Sequence, residues 1–220
     1  MPTPLKRSVA DAFSVHQPLA GVWHVEFPDR QGLLGLVDLP FHFLRFQEHY
    51  ESPGFKGTVF SWAQYVAWYR QQRGSFSYPS DWSGFNFPGH ILTPFRKGDF
   101  DPLTPREQAL LEALKEVRDQ DYVIGTSASD PGSLNHELAH ALWHLDPDYR
   151  RQVEAILEGG DYSSQEAALS EGNGYDAGVF RDEIQACAVD GFEDYGPDET
   201  RAVAIRGYFE DALTRNSFGN

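Results

Sequence analysis

Residues 133–146, SLNHELAHALWHLD, constrain this chain more than any other stretch. Advanced by about 100° per residue, the segment sorts itself into two faces. Leu134, Leu138, Ala141, Leu142 and Leu145 gather on one side of a helix. His136, His140 and His144 gather on the other, with Trp143 beside them. One face can therefore pack on the core while the histidine face looks into a cleft.

His136 and His140 stand four apart and are neighbours on the helix surface, so both imidazoles can meet one cation. Glu137 follows the first histidine, turned by about 100°. That is too far around for a good ligand, yet within reach of a water held by the ion, where a general base belongs. The expected cofactor is Zn²⁺, one per chain. Zinc takes neutral imidazole readily, and a catalytic zinc keeps three protein ligands and one water. The competing reading is a surface helix with unconnected histidines.

HELAH on a helix, after the short apolar strand YVIGT at 122–126, resembles the zincin metallopeptidases. The resemblance covers residues 122–146 and extends to a second helix, but to nothing before residue 120. It implies a zincin-like catalytic helix pair and metal-assisted hydrolysis of a peptide bond in a peptide or protein substrate. Glu137 would take the proton of the zinc-held water. Tyr175 is the candidate donor to the oxyanion, with Tyr149, Tyr162 and Tyr195 as competitors. The strand at 122–126 would hold an extended substrate by strand addition.

The zincin groups differ in their third ligand. Metzincins place it six residues after the second histidine, where this chain has Asp146. They also turn back on a glycine at the position of Trp143, and tryptophan resists the positive φ of such a turn. Asp146 instead reads as the cap of the next helix, ahead of Pro147. His144 lies about 12 Å along the axis from His136, too far for all three histidines to share an ion.

Gluzincins take a glutamate from a later helix, and VFRDEIQACAVDG at 179–191 is such a helix. Phe180, Ile184, Cys187 and Ala188 mark its apolar stripe, with Glu183 at the edge. A carboxylate there needs a cation, a proton or a metal. The expected ligand set is His136, His140 and Glu183, in a gluzincin-like pattern. The competing reading pairs Glu183 with Arg181, Arg201 or Arg206. Asp182 is expected to face solvent. Thermolysin-like members carry an aspartate four residues after the ligand glutamate, where this chain has Cys187. Asp190 is the candidate to orient a histidine in its place. Cys187 itself reads as a small core residue.

Two rival functions remain open at this point. One is a non-catalytic zincin-like metal-binding module that binds a peptide or protein partner, with the 74–103 segment as a lid. The other is a metal-free interaction protein.

The 220 residues suffice for one domain with a sizeable core. They divide into an aromatic-rich N-terminal lobe, 1–103, and a metal-binding region, 104–220, within one compact unit. A formal charge of −15 argues against nucleic acid and anionic membranes as partners. No apolar run approaches a membrane span, and the first residues lack the apolar core of a signal peptide. With Cys187 as the only cysteine, a cytoplasmic, reducing location is expected.

Alternation predicts a strand over 21–27, closed by Pro28. Helical spacing marks 39–52 and 59–73, with Gly74 as a stop. Residues 74–103 read as irregular. Thr104 to Glu107 form a capping box, opening a helix that runs to about Val117. Ser133 is expected to cap the histidine helix, and further helices fit 147–158, 163–170, 179–190 and 198–215. The fold class is α+β, mainly helical with a small sheet. The aromatics between Phe41 and Phe95 read as core, with Trp82 and Phe85 the expected exceptions.

Overall fold

Four strands form the frame in a computed structural model of the chain. It describes residues 13–27, 45–78, 84–128, 130, 132–173, 175, 177–192 and 194–217. The strands are β1 (Ser14–Leu19), β2 (Val22–Phe27), β3 (Phe85–Pro88) and β4 (Tyr122–Ser127), in the spatial order β1-β2-β4-β3. β2 and β4 pair in parallel, Val22 opposite Tyr122 through Phe27 opposite Ser127. β1 and β3 flank them antiparallel. The helices are α1 (Arg45–Glu51), α2 (Trp62–Arg73), α3 (Leu92–Arg96), α4 (Pro105–Ala113), α5 (Gly132–Leu145), α6 (Pro147–Leu157), α7 (Ser163–Ala167), α8 (Phe180–Asp190) and α9 (Glu199–Asn216). The fold is α+β and mainly helical, as expected.

The period of two sends alternate strand residues to opposite faces. Val22, Tyr122 and Ile124 face one way, onto Leu138, Ala141 and Leu142 of α5 and the interior of α6, α8 and α9. Val25, Phe27, Phe85, Phe87 and Val123 face the other way, onto a core built mostly of aromatics: Phe46, Phe60, Tyr65, Tyr69, Tyr78, Phe95 and Phe100. Among the described residues, the aromatics of the N-terminal half therefore build this core or pack against it. Phe85 belongs to that core and is not an exception, since its ring lies across the bare backbone of Gly125. Trp82 lies outside the described residues, as do Pro28 and the 39–44 part of the helix expected over 39–52.

Local chemistry sets the helix ends. Ser61 and Gln64 form a capping box on α2, and Gly74, at φ 77°, closes it. Thr104 and Glu107 form the expected box on α4, which stops at Ala113, short of Val117. Glu107 has a second task. Its carboxylate receives Arg45 Nε and Nη2, each at 2.8 Å, which ties α4 to α1 through a buried bidentate pair. α5 begins at Gly132, so Ser133 lies inside the helix and not at its cap.

The segment 74–103 is not irregular where it is described. It supplies β3, a 3₁₀ turn at Gly89–Ile91, and α3. β3 is four residues long, ends in proline and follows a glycine, so sequence signals demote it. Its pairing with β4 also removes Phe85–Pro88 from the lid expectation. β1 escapes alternation because it is a largely exposed edge strand containing Pro18.

Candidate metal centre

α5 and α8 pack side by side, with their polar edges turned toward the same space. His136 Nε2 and His140 Nε2 lie 3.1 Å apart. Each is 3.7 Å from a carboxylate oxygen of Glu183. The three ligand atoms lie within 4.8 Å of one another. A tetrahedral zinc with bonds of about 2.0–2.1 Å holds adjacent ligand atoms about 3.3 Å apart, close to these separations.

The far side of each ring is also held. His136 Nδ1 is 2.6 Å from Asp190 Oδ2, and His140 Nδ1 is 2.8 Å from Asp182 Oδ1. A ring N–H donated to each carboxylate leaves both Nε2 lone pairs aimed toward Glu183. Two lone pairs and a carboxylate converging in a buried space repel one another until a proton or a cation joins them. The donor set of two imidazoles and one carboxylate suits zinc and leaves a coordination position for water.

Asp182 therefore corrects the sequence expectation of a solvent-facing side chain. It sits at the seam where α8 crosses α5, so adjacent residues Asp182 and Glu183 address opposite sides of the His140 ring. Gln185 Nε2 donates to Asp182 Oδ1 at 3.0 Å, and Tyr149 Oη donates to Gln185 Oε1 at 2.6 Å. Asp190 fills the orienting role expected of it, and its Oδ1 receives Phe192 N–H at 2.9 Å. The arginine alternatives for Glu183 are engaged elsewhere: Arg201 with Asp198, Arg206 with Glu199, and Arg181 over the Tyr162 ring.

Burial alone would lower the His140 pKa, but the charges of Asp182 and Glu183 raise it to about 9. His136 behaves alike: burial is outweighed by its bonds with Asp190 and Glu183, and its pKa is raised. Burial pushes Glu183 up, and the two histidines more than reverse this, so its pKa is lowered. A second grouping, His136, Cys187 and Asp190, shares the same histidine. Burial pushes the Cys187 thiol up, so its thiolate is disfavoured and the Glu183 set is the better ligand set.

Glu137 is not in either grouping. It is buried, and its Oε2 accepts from Asn86 Nδ2 at 3.0 Å. Asn86 Oδ1 in turn accepts from Tyr122 Oη at 2.6 Å. Between Phe85 and Phe87, which face the aromatic core, Asn86 must point toward α5. Gly84 completes the seat: a Cβ there would lie 2.4 Å from Glu137 Oε1 and 3.0 Å from the Gly125 carbonyl oxygen. Burial raises the Glu137 pKa, against the pull of His136 and His140.

A cavity of about 360 Å³ opens over these groups, walled by His136, Glu137, His140, Glu183, Asn86 and Tyr175 among others. Burial and the charges of Glu183, Glu51 and Glu137 raise the Tyr175 pKa well above its ordinary value, so its phenol keeps its proton. Of its competitors, Tyr195 also walls the cavity. Tyr149 is committed to Gln185, and Tyr162 is buried against Gly160. Asp146 caps α6, accepting from Asp148 N and Tyr149 N, and is no ligand. His144 lies against the Tyr122 ring, outside the ligand group.

One further expectation is corrected. β4 is paired on both sides, by β2 and β3, so it has no free edge for a substrate strand. The edge nearest the site is β3, and there Asn86 N donates to Gln47 Oε1 at 3.0 Å. Sequence reasoning missed Gly84, Asn86, Gln47 and Glu51. The polar residue inside FNFP was the one available signal, legible only once that segment is read as a strand.

Comparison with protein-family models, with curated proteins and with solved structures gives no significant match. Among the described residues, no helix is long and apolar enough to cross a membrane.

Proposed function

We propose that this chain is a zinc-dependent hydrolase of peptide bonds, with a gluzincin-like ligand set of His136, His140 and Glu183. One observation carries the reading. Two imidazole Nε2 atoms converge with a buried carboxylate, while both Nδ1 atoms are held by aspartates and a non-ligand glutamate shares the same cavity. That arrangement supports the metal reading over a metal-free interaction surface.

When bound, zinc would supply a coordinated water of lowered pKa and polarise a carbonyl. The remaining work falls to this chain. Asp182 and Asp190 fix the tautomer and aim of the two imidazoles. Glu137 receives a proton on a carboxylate oxygen and returns it to the leaving amine. Asn86 holds Glu137 in place by one N–H bond and leaves its Oε1 for that transfer. The Tyr175 phenol, kept protonated by its acidic surroundings, is the donor proposed for the oxyanion. A cytoplasmic location belongs to the same proposal, and the single, buried Cys187 agrees with a reducing compartment.

The test combines metal analysis with cleavage. Protein purified without chelators should carry one zinc per chain. Wild type and Glu137→Gln, both metal-loaded, are incubated with a diverse peptide library, and new termini are read by mass spectrometry. The variant should keep its metal and lose hydrolysis by about 10²–10⁴-fold. Stoichiometric metal with no cleavage by either form would favour the non-catalytic binding module. Absence of tight metal binding would remove both readings.

A further inference from the structure

A second cavity, of about 330 Å³, adjoins the metal centre. Gln47, Glu51, Gly84 and Tyr175 wall both, so the two spaces form one cleft. The second is of the size at which small-ligand pockets begin, roughly 300 Å³. Besides Tyr175, its walls combine two carboxylates with four aromatic rings: Glu48, Glu51, Tyr65, Trp68, Tyr69 and Tyr78.

The carboxylates come from α1, which carries none of the proposed ligands, and Glu51 also walls the metal cavity. Glu48 is buried and accepts from Tyr78 Oη at 2.5 Å. Glu51 receives Gln47 Nε2. Neither forms an ion pair with lysine or arginine among the described residues. Burial raises both carboxylates, Glu48 to about 7, and Glu51 is further raised by the Glu183 and Glu48 charges. Ser52 Oγ, on the same wall, is 4 % exposed. It lies close enough to favour the charged form of Glu48, yet makes no hydrogen bond of normal geometry. Arg73, which is exposed, also lines the pocket.

A buried and a half-buried carboxylate lacking a cationic partner, a buried hydroxyl without a hydrogen bond of normal geometry and surrounding aromatic faces ask for one ligand chemistry: a cation carrying N–H donors. The chain's charge of −15 favours its approach. We propose that this pocket receives a lysine or arginine side chain of the substrate, held by Glu48, Glu51, Ser52 Oγ and the aromatic walls. The proposal rests on the peptide-hydrolase reading for the pocket's use, though not for its cation binding. A residue seated there lies beside the metal centre, so the enzyme should cut at a fixed distance from a basic residue.

The test uses probes that need neither metal nor turnover. ¹⁵N-labelled protein is titrated with Nα-acetyl-lysine methylamide, Nα-acetyl-arginine methylamide and the uncharged Nα-acetyl-norleucine methylamide. The Trp68 indole N–H signal is followed, assigned by its loss in Trp68→Phe. Both cationic probes should shift it saturably, and norleucine should bind at least about tenfold more weakly. Glu48→Gln preserves an acceptor for Tyr78 and should weaken lysine binding by about tenfold or more. Glu51→Gln provides the same readout if the first variant does not fold. Equal affinity for lysine and norleucine, no saturable shift, or a shift indifferent to the folded variants would overturn the pocket and leave the metal reading standing. Cation binding without zinc binding would keep the pocket and overturn the hydrolase. In the library assay, wild type should show lysine or arginine at one fixed place beside the cut, and Glu48→Gln should lose that preference.

Discussion

His136 and His140 present their Nε2 atoms to each other at 3.1 Å, while their Nδ1 atoms point to aspartates at opposite ends of α8. Asp182 lies in the first turn of that helix and Asp190 in its last residue. One helix thus contributes the proposed carboxylate ligand and both orienting groups. The spacing of α8 is matched to the spacing of α5.

This arrangement predicts strong effects from residues that never touch the metal. Asp182→Asn and Asp190→Asn should each weaken zinc binding by about 10–100-fold, because the imidazole loses its aim and basicity. Asp146→Asn should leave metal affinity unchanged, since Asp146 serves as a helix cap. Competition with a chromogenic chelator measures all three. Wild-type affinity in both α8 variants would remove the orienting role.

Protonation of the empty ligands gives a pH prediction. In the metal-free protein His140 has a pKa raised from 6.5 to about 9. Its contribution to stability is fully present below 6.5 and is lost as pH rises through about 9. Metal-free protein should therefore lose stability in this window. Zinc binding at neutral pH should release protons, because the ligand nitrogens must be neutral. Calorimetry of zinc binding in buffers of different ionisation enthalpy reports the number released. A value of zero would contradict the charged pair.

Gly84 is predicted to be intolerant of any side chain. A Cβ would press on Glu137 Oε1 and on the backbone oxygen of Gly125. Gly84→Ala should keep zinc, since no ligand is touched, and lower the proposed hydrolysis by displacing Glu137. Equal rates for Gly84→Ala and wild type, with metal retained, would show that Glu137 is free to move.

The Arg45–Glu107 pair should govern acid stability away from the metal. Burial opposes the charge of Glu107, but its bonds with Arg45 and Thr104 prevail and its pKa is lowered. Its stabilisation is present above the ordinary value of 4.5 and is lost as pH falls through the lower folded value. Glu107→Gln leaves Arg45 buried without a counter-charge and should cost about 3–5 kcal/mol in urea denaturation at neutral pH. Loss of less than about 1 kcal/mol would mean that water reaches Arg45.

The sequence by itself determined the features that depend on neighbours along the chain. The faces of α5, the capping box at Thr104, the stop at Gly74 and the cap at Asp146 follow from helical period and local hydrogen bonding. Glu183 was legible because a carboxylate on an apolar edge needs a partner. The tertiary structure decided everything that depends on which elements meet. Asp182 looked solvent-facing from helix geometry, and the crossing of α5 over α8 placed it on His140. β4 looked available to a substrate until β3, too short and too interrupted to announce itself, closed its edge. Asn86 and Gly84 became the seat of Glu137 only through that pairing. Local pattern fixes dihedral angles and the face a residue presents, whereas the identity of the opposing group is set by long-range packing, which no spacing along the chain encodes.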